Sequence, residues 1–413
     1  MSLAGAPADR RSPLRENRDF RLLWGGAGLS VLGSRATAIA YPLVVLWFTG
    51  SSQSAGLVGF ALFLPLLLVQ LPGGALVDRW DRRRLMLYSS AGSALVGAGV
   101  AVALLTDTFW LPHLLASAFV EGSLTAMYQL AERAAVPTLV TEQQIPAALV
   151  SNEARTRGAA LLGQPLGSGL AGMSGGLPFA LGFLMHTGSL LCLVRARGPF
   201  RAPVDVPRRS IAAEVAEGLV WLWRQRFLRV VIVAVAVSNM LFQGLNLAVM
   251  SMMHNDGQSA LTIGLVTTLS GAGGLLGSLR ADWWIRSFSM RALAVGALVA
   301  WTVLMVPLSS LHHVVVLGAL FAGSGYVGGV FNVAAGVLLA RTAPLHMQGR
   351  ANSVVSLVAS GAMSAGPLTA GFLLEPLGSA RTILVFSAVM AATALFTSVS
   401  RGIRAGAPVA DLS

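Results

Sequence analysis

Charge is what this chain has least of. Only 11% of its 413 residues are charged and 55% are hydrophobic, whereas an ordinary soluble domain carries about 25% charged residues. The mean hydropathy is +0.71. Such a chain cannot cover a water-facing surface, which excludes a soluble globule. A lone cysteine, Cys192, excludes an intrachain disulfide. Lysine is absent: all 29 basic residues are arginine, so each carries a guanidinium charge that does not titrate. No phosphate loop of the GxxxxGK type exists, which excludes ATP hydrolysis by this chain.

Two short glycine motifs are decoys. Gly323–Gly328 spells GxGxxG and Gly172–Gly176 spells GxSxG, but neither follows a strand, so neither makes a dinucleotide turn or a nucleophile elbow. His312 and His313 are adjacent and would point apart on a helix, and no acidic or cysteine partner is expected for them. No metal, no cofactor and no enzymatic activity is expected. The net charge of +12 is read as a membrane-topology bias rather than a nucleic-acid surface.

What the chain has is apolar runs long enough to cross a bilayer, which takes roughly 20 helical residues. Twelve are expected, at 20–47, 55–77, 85–105, 109–133, 146–172, 177–194, 227–252, 259–285, 291–310, 313–340, 349–374 and 379–400. Arginines then set the orientation. Five lie between Arg10 and Arg21, four between Arg79 and Arg84, and seven between Arg195 and Arg226; Arg286, Arg291, Arg341, Arg350, Arg401 and Arg404 follow. With the N-terminus inside, all of these fall in inner segments and only Arg381 falls outside. Both termini are therefore expected in the cytoplasm, with residues 1–19 a cytosolic tail rather than a signal peptide. Six-span bundles cover 20–194 and 227–400, and 401–413 is a second tail. The linker 195–226 starts with Pro199, Pro203 and Pro207 and continues as IAAEVAEGLVWLW, an amphipathic helix expected on the inner membrane surface.

The halves repeat. Phe20 matches Phe227, Gly56 matches Gly264, Asp78 matches Asp282, Arg133 matches Arg341, Pro137 matches Pro344 and Pro165 matches Pro367, at offsets of 202 to 208. Six ordered pairs imply a parallel repeat about an axis normal to the membrane, an arrangement suited to rocking around a central site.

The run from Gly74 through Asp78, Arg79, Asp81, Arg82, Arg83 and Arg84 resembles the signature loop of the major facilitator superfamily. NRDFRLLW (17–24), AERAAVPTLV (131–140) and NEARTRG (152–158) resemble its bacterial drug and siderophore exporters, a branch that includes macrolide efflux proteins and the enterobactin exporter. The resemblance implies an all-α fold of twelve membrane helices in two six-helix repeats. It also implies that Asp78, with Arg79, Arg82 and Arg83, latches an inner gate. Asp81 stands where the family usually has a second glycine, which leaves the loop backbone less free. The fifth span carries Gly163-Gln-Pro165-Leu-Gly-Ser-Gly169 and the eleventh carries Gly366-Pro367-Leu-Thr-Ala-Gly371, similar to the antiporter motif. Prolines that kink and small residues that allow close approach suit a gate seam, and also suit ordinary helix packing.

In the resembling fold, spans 1, 4, 7 and 10 line the cavity. Here Ser34, Thr37 and Tyr41 form a polar stripe beside Arg35, while Glu121 is followed by Thr125, Tyr128, Gln129 and Glu132. Asn239, Gln243 and Asn246 form a third stripe, and Asn332 contributes from span 10. Ionisable groups at this depth are candidates for function. Arg35 and Glu121 each lie roughly 15–20 Å from the inner face by helical rise, so they are expected to pair. Glu121 is expected to take up and release a proton, against a purely structural ion pair. Glu153, with Arg155 and Arg157, is expected near an inner gate. The branch usually carries aspartate at the position of Ser34 and an acid at that of His186, so Glu121, Glu153 or His186 must substitute, or coupling is absent. The expected activity is export of an amphipathic small molecule by alternating access in exchange for protons, by a monomer in the bacterial inner membrane. Import or uniport of a metabolite, and a non-transporting receptor, are the rivals.

Overall fold

The computed structural model describes residues 14, 16–198, 200, 211–344 and 347–400. Side chains of residues 71, 75, 78 and 211–215 lie outside the described set, as do the expectations for the two tails and for Pro199, Pro203 and Pro207. The described residues form helices and no strands: α1 (Arg18–Thr49), α2 (Ser52–Leu68), α3 (Gln70–Arg79), α4 (Arg82–Leu105), α5 (Leu111–Leu139), α6 (Ile145–Met173), α7 (Leu177–Arg195), α8 (Ile211–Arg224), α9 (Arg226–Asn255), α10 (Ala260–Ser287), α11 (Met290–Met305), α12 (Val314–Thr342) and α13 (Gln348–Val399).

Local chemistry sets the ends. Asn17 caps α1 by accepting from the Phe20 N–H, and Gly50, at φ 65°, closes it in a left-handed turn. Asp81 caps α4, accepting from the backbone N–H groups of Arg83 and Arg84. The residue that departs from the family's glycine therefore starts a helix. The second span is two helices, because Pro72 has no N–H to give the Leu68 carbonyl and the ladder breaks there. The eleventh and twelfth spans are the two arms of α13, which bends at Gly378 (φ 73°, ψ 173°) just after Pro376. Among the described residues, eight helices are long and apolar enough to cross a membrane, α13 counting once with both arms. α5 and α6 are 29 residues each and are less apolar because they carry the charged side chains.

The chain forms two bundles, α1–α7 and α9–α13. Small residues bring their helices close: Gly167 of α6 lies on Ala36 of α1, and Gly273, Gly277, Gly325 and Gly329 knit α10 to α12 through carbonyl contacts. The Gly323–Gly328 motif is thus packing surface. α8 lies against the start of α13, with Gly218 on the Arg350 carbonyl and Glu217 paired to Arg350 at 2.8 Å.

The bundles meet on the side remote from the termini. Trp47 stacks near His254 with ring centroids 4.1 Å apart, and Ser52 and Ser251 hydroxyls are 2.8 Å apart. Ser51 donates to Glu375 at 2.9 Å. Two seams continue inward, α2 on α13 and α6 on α10, reaching Leu67 on Gly361 and Leu161 on Gly271 near mid-depth. Toward the termini the facing surfaces separate, leaving Arg35 exposed and Arg157 of α6 lining a cavity with the second bundle. The molecule is closed remote from its termini and open beside them.

Candidate functional site

The first bundle buries the charges. Glu121 of α5 and His186 of α7 are 3% and 2% exposed, with Oε1 and Nε2 3.3 Å apart. Glu121 Oε1 and both imidazole nitrogens lack a well-formed hydrogen bond, an unusual state for buried polar atoms. Gly33 of α1 lets α7 pack close, since a Cβ there would crowd the Met185 Cβ at 3.0 Å, and His186 Nε2 lies beside the same position. The expected Arg35–Glu121 pair is therefore replaced by His186–Glu121. Rise counting gave both residues the same depth, but Arg35 points from a different face of α1.

Nearer the termini, Arg155 of α6 and Glu132 of α5 form a buried bridge at 2.6 Å. Arg155 also reaches the Trp24 carbonyl and the Asn152 side chain. It fastens three helices of one bundle and does not span the two bundles. Glu153 pairs with Arg157 four residues on, at 2.7 Å, with both side chains well exposed. Such a pair adds little, and Glu153 has none of the burial that sets Glu121 apart.

Thr37, Tyr41 and Tyr128 were expected on the cavity wall and are instead buried in the first bundle. Tyr41 packs edge-on against Phe179 at 4.8 Å, and Tyr128 reaches Ser189 of α7 at 3.3 Å. Ser34 and Thr125 join α1 to α5 through hydroxyls 3.2 Å apart, and Gln129 is half-buried beside them.

The second bundle holds a cavity of about 460 Å³ between α9, α10, α11 and α12. Asn239 and Asn332 line it, as expected. Ser324, the other span 10 residue expected there, lines it as well, and so do Ser270, Ser278 and Trp301, which sit on spans outside the four expected to form the wall. Trp301 is held by its Nε1–H donating to the Ser324 carbonyl at 2.9 Å and by edge contacts with Phe242 and Phe331. Gln243 turns toward Gly366 of α13, and Asn246 donates to the Phe242 carbonyl; neither lines this cavity.

The gate residues separate by role. Pro367 of α13 sits against Gly56 and Gly59 of α2, and Gly169 against Leu261 of α10, so both lie on seams between the bundles. Gln164, where the motif has glycine, accepts from the Thr268 hydroxyl at 3.3 Å, and Ser168 fills the space that Gly264 leaves. Pro165 is half-buried between them. Gly366 instead packs on α9 inside its own bundle, against the Met240 carbonyl. Arg82 donates to the Ala134 carbonyl, and Arg83 caps α7 through the carbonyls of Leu193 and Val194. Arg79 is exposed and Gly74 has open space about it. The Asp78 side chain lies outside the described residues.

Two helical bundles closed on one side around a cavity, with charges buried in one of them, have the architecture of a membrane transporter. The chain belongs to the transmembrane secretion effector family of the major facilitator superfamily, whose family model matches residues 9–407. It is similar to the multidrug efflux pump Tap of Mycolicibacterium fortuitum, 28% identical over 90% of this chain and 91% of that one. Tap of Mycobacterium tuberculosis (strain ATCC 25618 / H37Rv) is 24% identical over 89% and 90%. Among solved structures, a variant of the nucleoside transporter NupG superposes with TM-score 0.77 at 11% identity, covering 93% of this chain and all of that one. An inward-facing, occupied bacterial homologue of the lysosomal transporter Spinster gives 0.74 at 14% identity, covering 94% and 98%. These two show the shared fold.

Proposed function

We propose that this protein exports amphipathic small molecules across the bacterial inner membrane, termini in the cytoplasm, by alternating access in exchange for protons. Likeness to pumps named for multidrug efflux supports export. The buried Glu121–His186 contact carries the proton reading. A carboxylate and an imidazole facing one another out of water hold one proton between them at no net charge, and losing it leaves a buried negative charge, which is costly. The protonated pair thus favours the packed arrangement, and release of its proton favours rearrangement of α5 against α7. The Gly–Pro seams supply surfaces on which one bundle tilts against the other. One chain completes the whole cavity, so the working unit is a monomer in the lipid bilayer.

The test is dye transport into inside-out vesicles. Uptake that requires an acidic vesicle interior and collapses with Glu121→Gln supports the reading. Uptake indifferent to both the gradient and the substitution sinks the proton-coupled part of it and favours uniport.

A further inference from the structure

Arg35 is a guanidinium at membrane depth without a protein counter-charge: among the described residues no carboxylate pairs with it. Its direction follows from its neighbours. A helix turns about 100° per residue. Gly33 faces Met185 and Thr37 faces Gly182, both on α7, while Ser34 faces Thr125 of α5 and Ala36 faces Gly167 of α6. The face left for Arg35 is the one turned away from α7, toward the space between the bundles, and Arg35 is exposed there. Its stem rests on Gly163 of α6. Arg157, six residues earlier and so ~9 Å along α6, lines the second-bundle cavity.

Among the described residues, the lining of that cavity holds no acid. It offers the rings of Phe242, Trp301 and Phe331 and the amides of Asn239 and Asn332. It also offers the Ser324 hydroxyl, which is 5% exposed as a residue and has no hydrogen-bond partner. Rings, neutral amides and an unsatisfied hydroxyl hold a flat, largely apolar body. A lone guanidinium recruits an oxyanion, to which it donates two parallel hydrogen bonds.

We infer that the exported substrate is an anionic amphipath: its flat body sits among Phe242, Trp301, Asn239 and Asn332, and its carboxylate, sulfonate or phosphate sits on Arg35. This names the substrate class of the exporter proposed above and rests on that reading. Polycations and amines without an acid group are poor ligands of the same cavity.

The experiment uses full-length purified protein and two dyes, rhodamine 110 and its methyl ester rhodamine 123, which share a ring system and differ in one free carboxylate. Fluorescence polarisation should show the free acid bound about tenfold more tightly than the ester, the size of one charge-assisted contact. Arg35→Gln should erase the preference and leave ester binding in place, while Arg35→Lys should keep part of it. In unmodified protein, salicylate should displace rhodamine 110 and salicylamide should not, which reads the same subsite without any variant. Competition by short-chain phosphatidylglycerol against salicylate then tells a lipid headgroup from a free acid. An unchanged preference in Arg35→Gln, tighter binding of the ester, or no binding of either dye overturns the inference. If the preference holds but neither dye moves in vesicles, the exporter reading fails and the anion subsite stands.

Discussion

The two bundles share a plan and differ in what they bury. Among the described residues, the buried charged or histidine side chains (Arg82, Glu121, Glu132, Arg155 and His186) all belong to the first bundle. The second buries only hydroxyls among polar side chains, including Ser238, Ser324, Ser364 and Thr382, and the wall it gives to the cavity is neutral; the charge there, Arg157, comes from α6 of the first bundle. If the function proposed above holds, the two halves divide proton exchange from recognition of the ligand's body. On that reading the proton-carrying pair is shielded from ligand inside the first bundle, and the second bundle meets the ligand's body with rings and amides. Dividing the tasks leaves the moving seams between bundles to relate them, and those seams carry small, uncharged residues.

The comparison can be broken from either side. The largest effect belongs to Arg155→Met, which strands Glu132 as a buried carboxylate without its bridge. It should cost roughly 3–5 kcal/mol, seen as a strongly lowered unfolding temperature. A second change, Glu132→Leu, should return most of the loss by removing the stranded charge. An additive double variant would mean that the two side chains act independently.

Next is the seam. A Cβ at position 264 would overlap the Ser168 side chain, so Gly264→Val should prevent closure on the side remote from the termini. Spin labels or cysteine pairs flanking Trp47 and His254 should then report separation where the unmodified protein reports contact. If those residues stay together, α6 and α10 are not a closing surface. In the second bundle, Asn332→Ala should weaken dye binding by about fivefold, roughly 1 kcal/mol for one neutral hydrogen bond. It should leave the gradient dependence of transport untouched; a change in that dependence would erase the division of tasks. Smallest is Arg286→Gln. Its partner Asp282 lies four residues back and both side chains are mostly exposed, so neither stability nor transport should move measurably.

Much of the architecture was legible in the chain because hydropathy and glycine placement are one-dimensional signals. The membrane runs, the bend near Gly378 and the seam positions of Pro367 and Gly169 all follow from local composition. The site was only partly legible. Depth along a helix can be counted, and it put Arg35 and Glu121 at one level, but partner choice depends on which face each side chain leaves from. Gly33 is the local clue, since a position without a side chain brings α7, and His186 with it, close against α1. Trp301 and Ser270 were invisible for another reason. They sit on spans outside the four expected to line the cavity: Ser270 enters where glycines draw α10 and α12 together, and Trp301 of α11 where its indole N–H reaches the Ser324 carbonyl of α12.

The central claim is that the Glu121–His186 pair holds the proton exchanged for substrate. It is tested most directly by adding a bound dye to purified protein in weakly buffered solution and following pH with an indicator. Linkage requires that a ligand which displaces a proton release it on binding. The account predicts release of about one proton per bound dye in the unmodified protein, and none in Glu121→Gln at the same dye occupancy. Equal release from both proteins would contradict it, and would assign the proton to a group other than this pair.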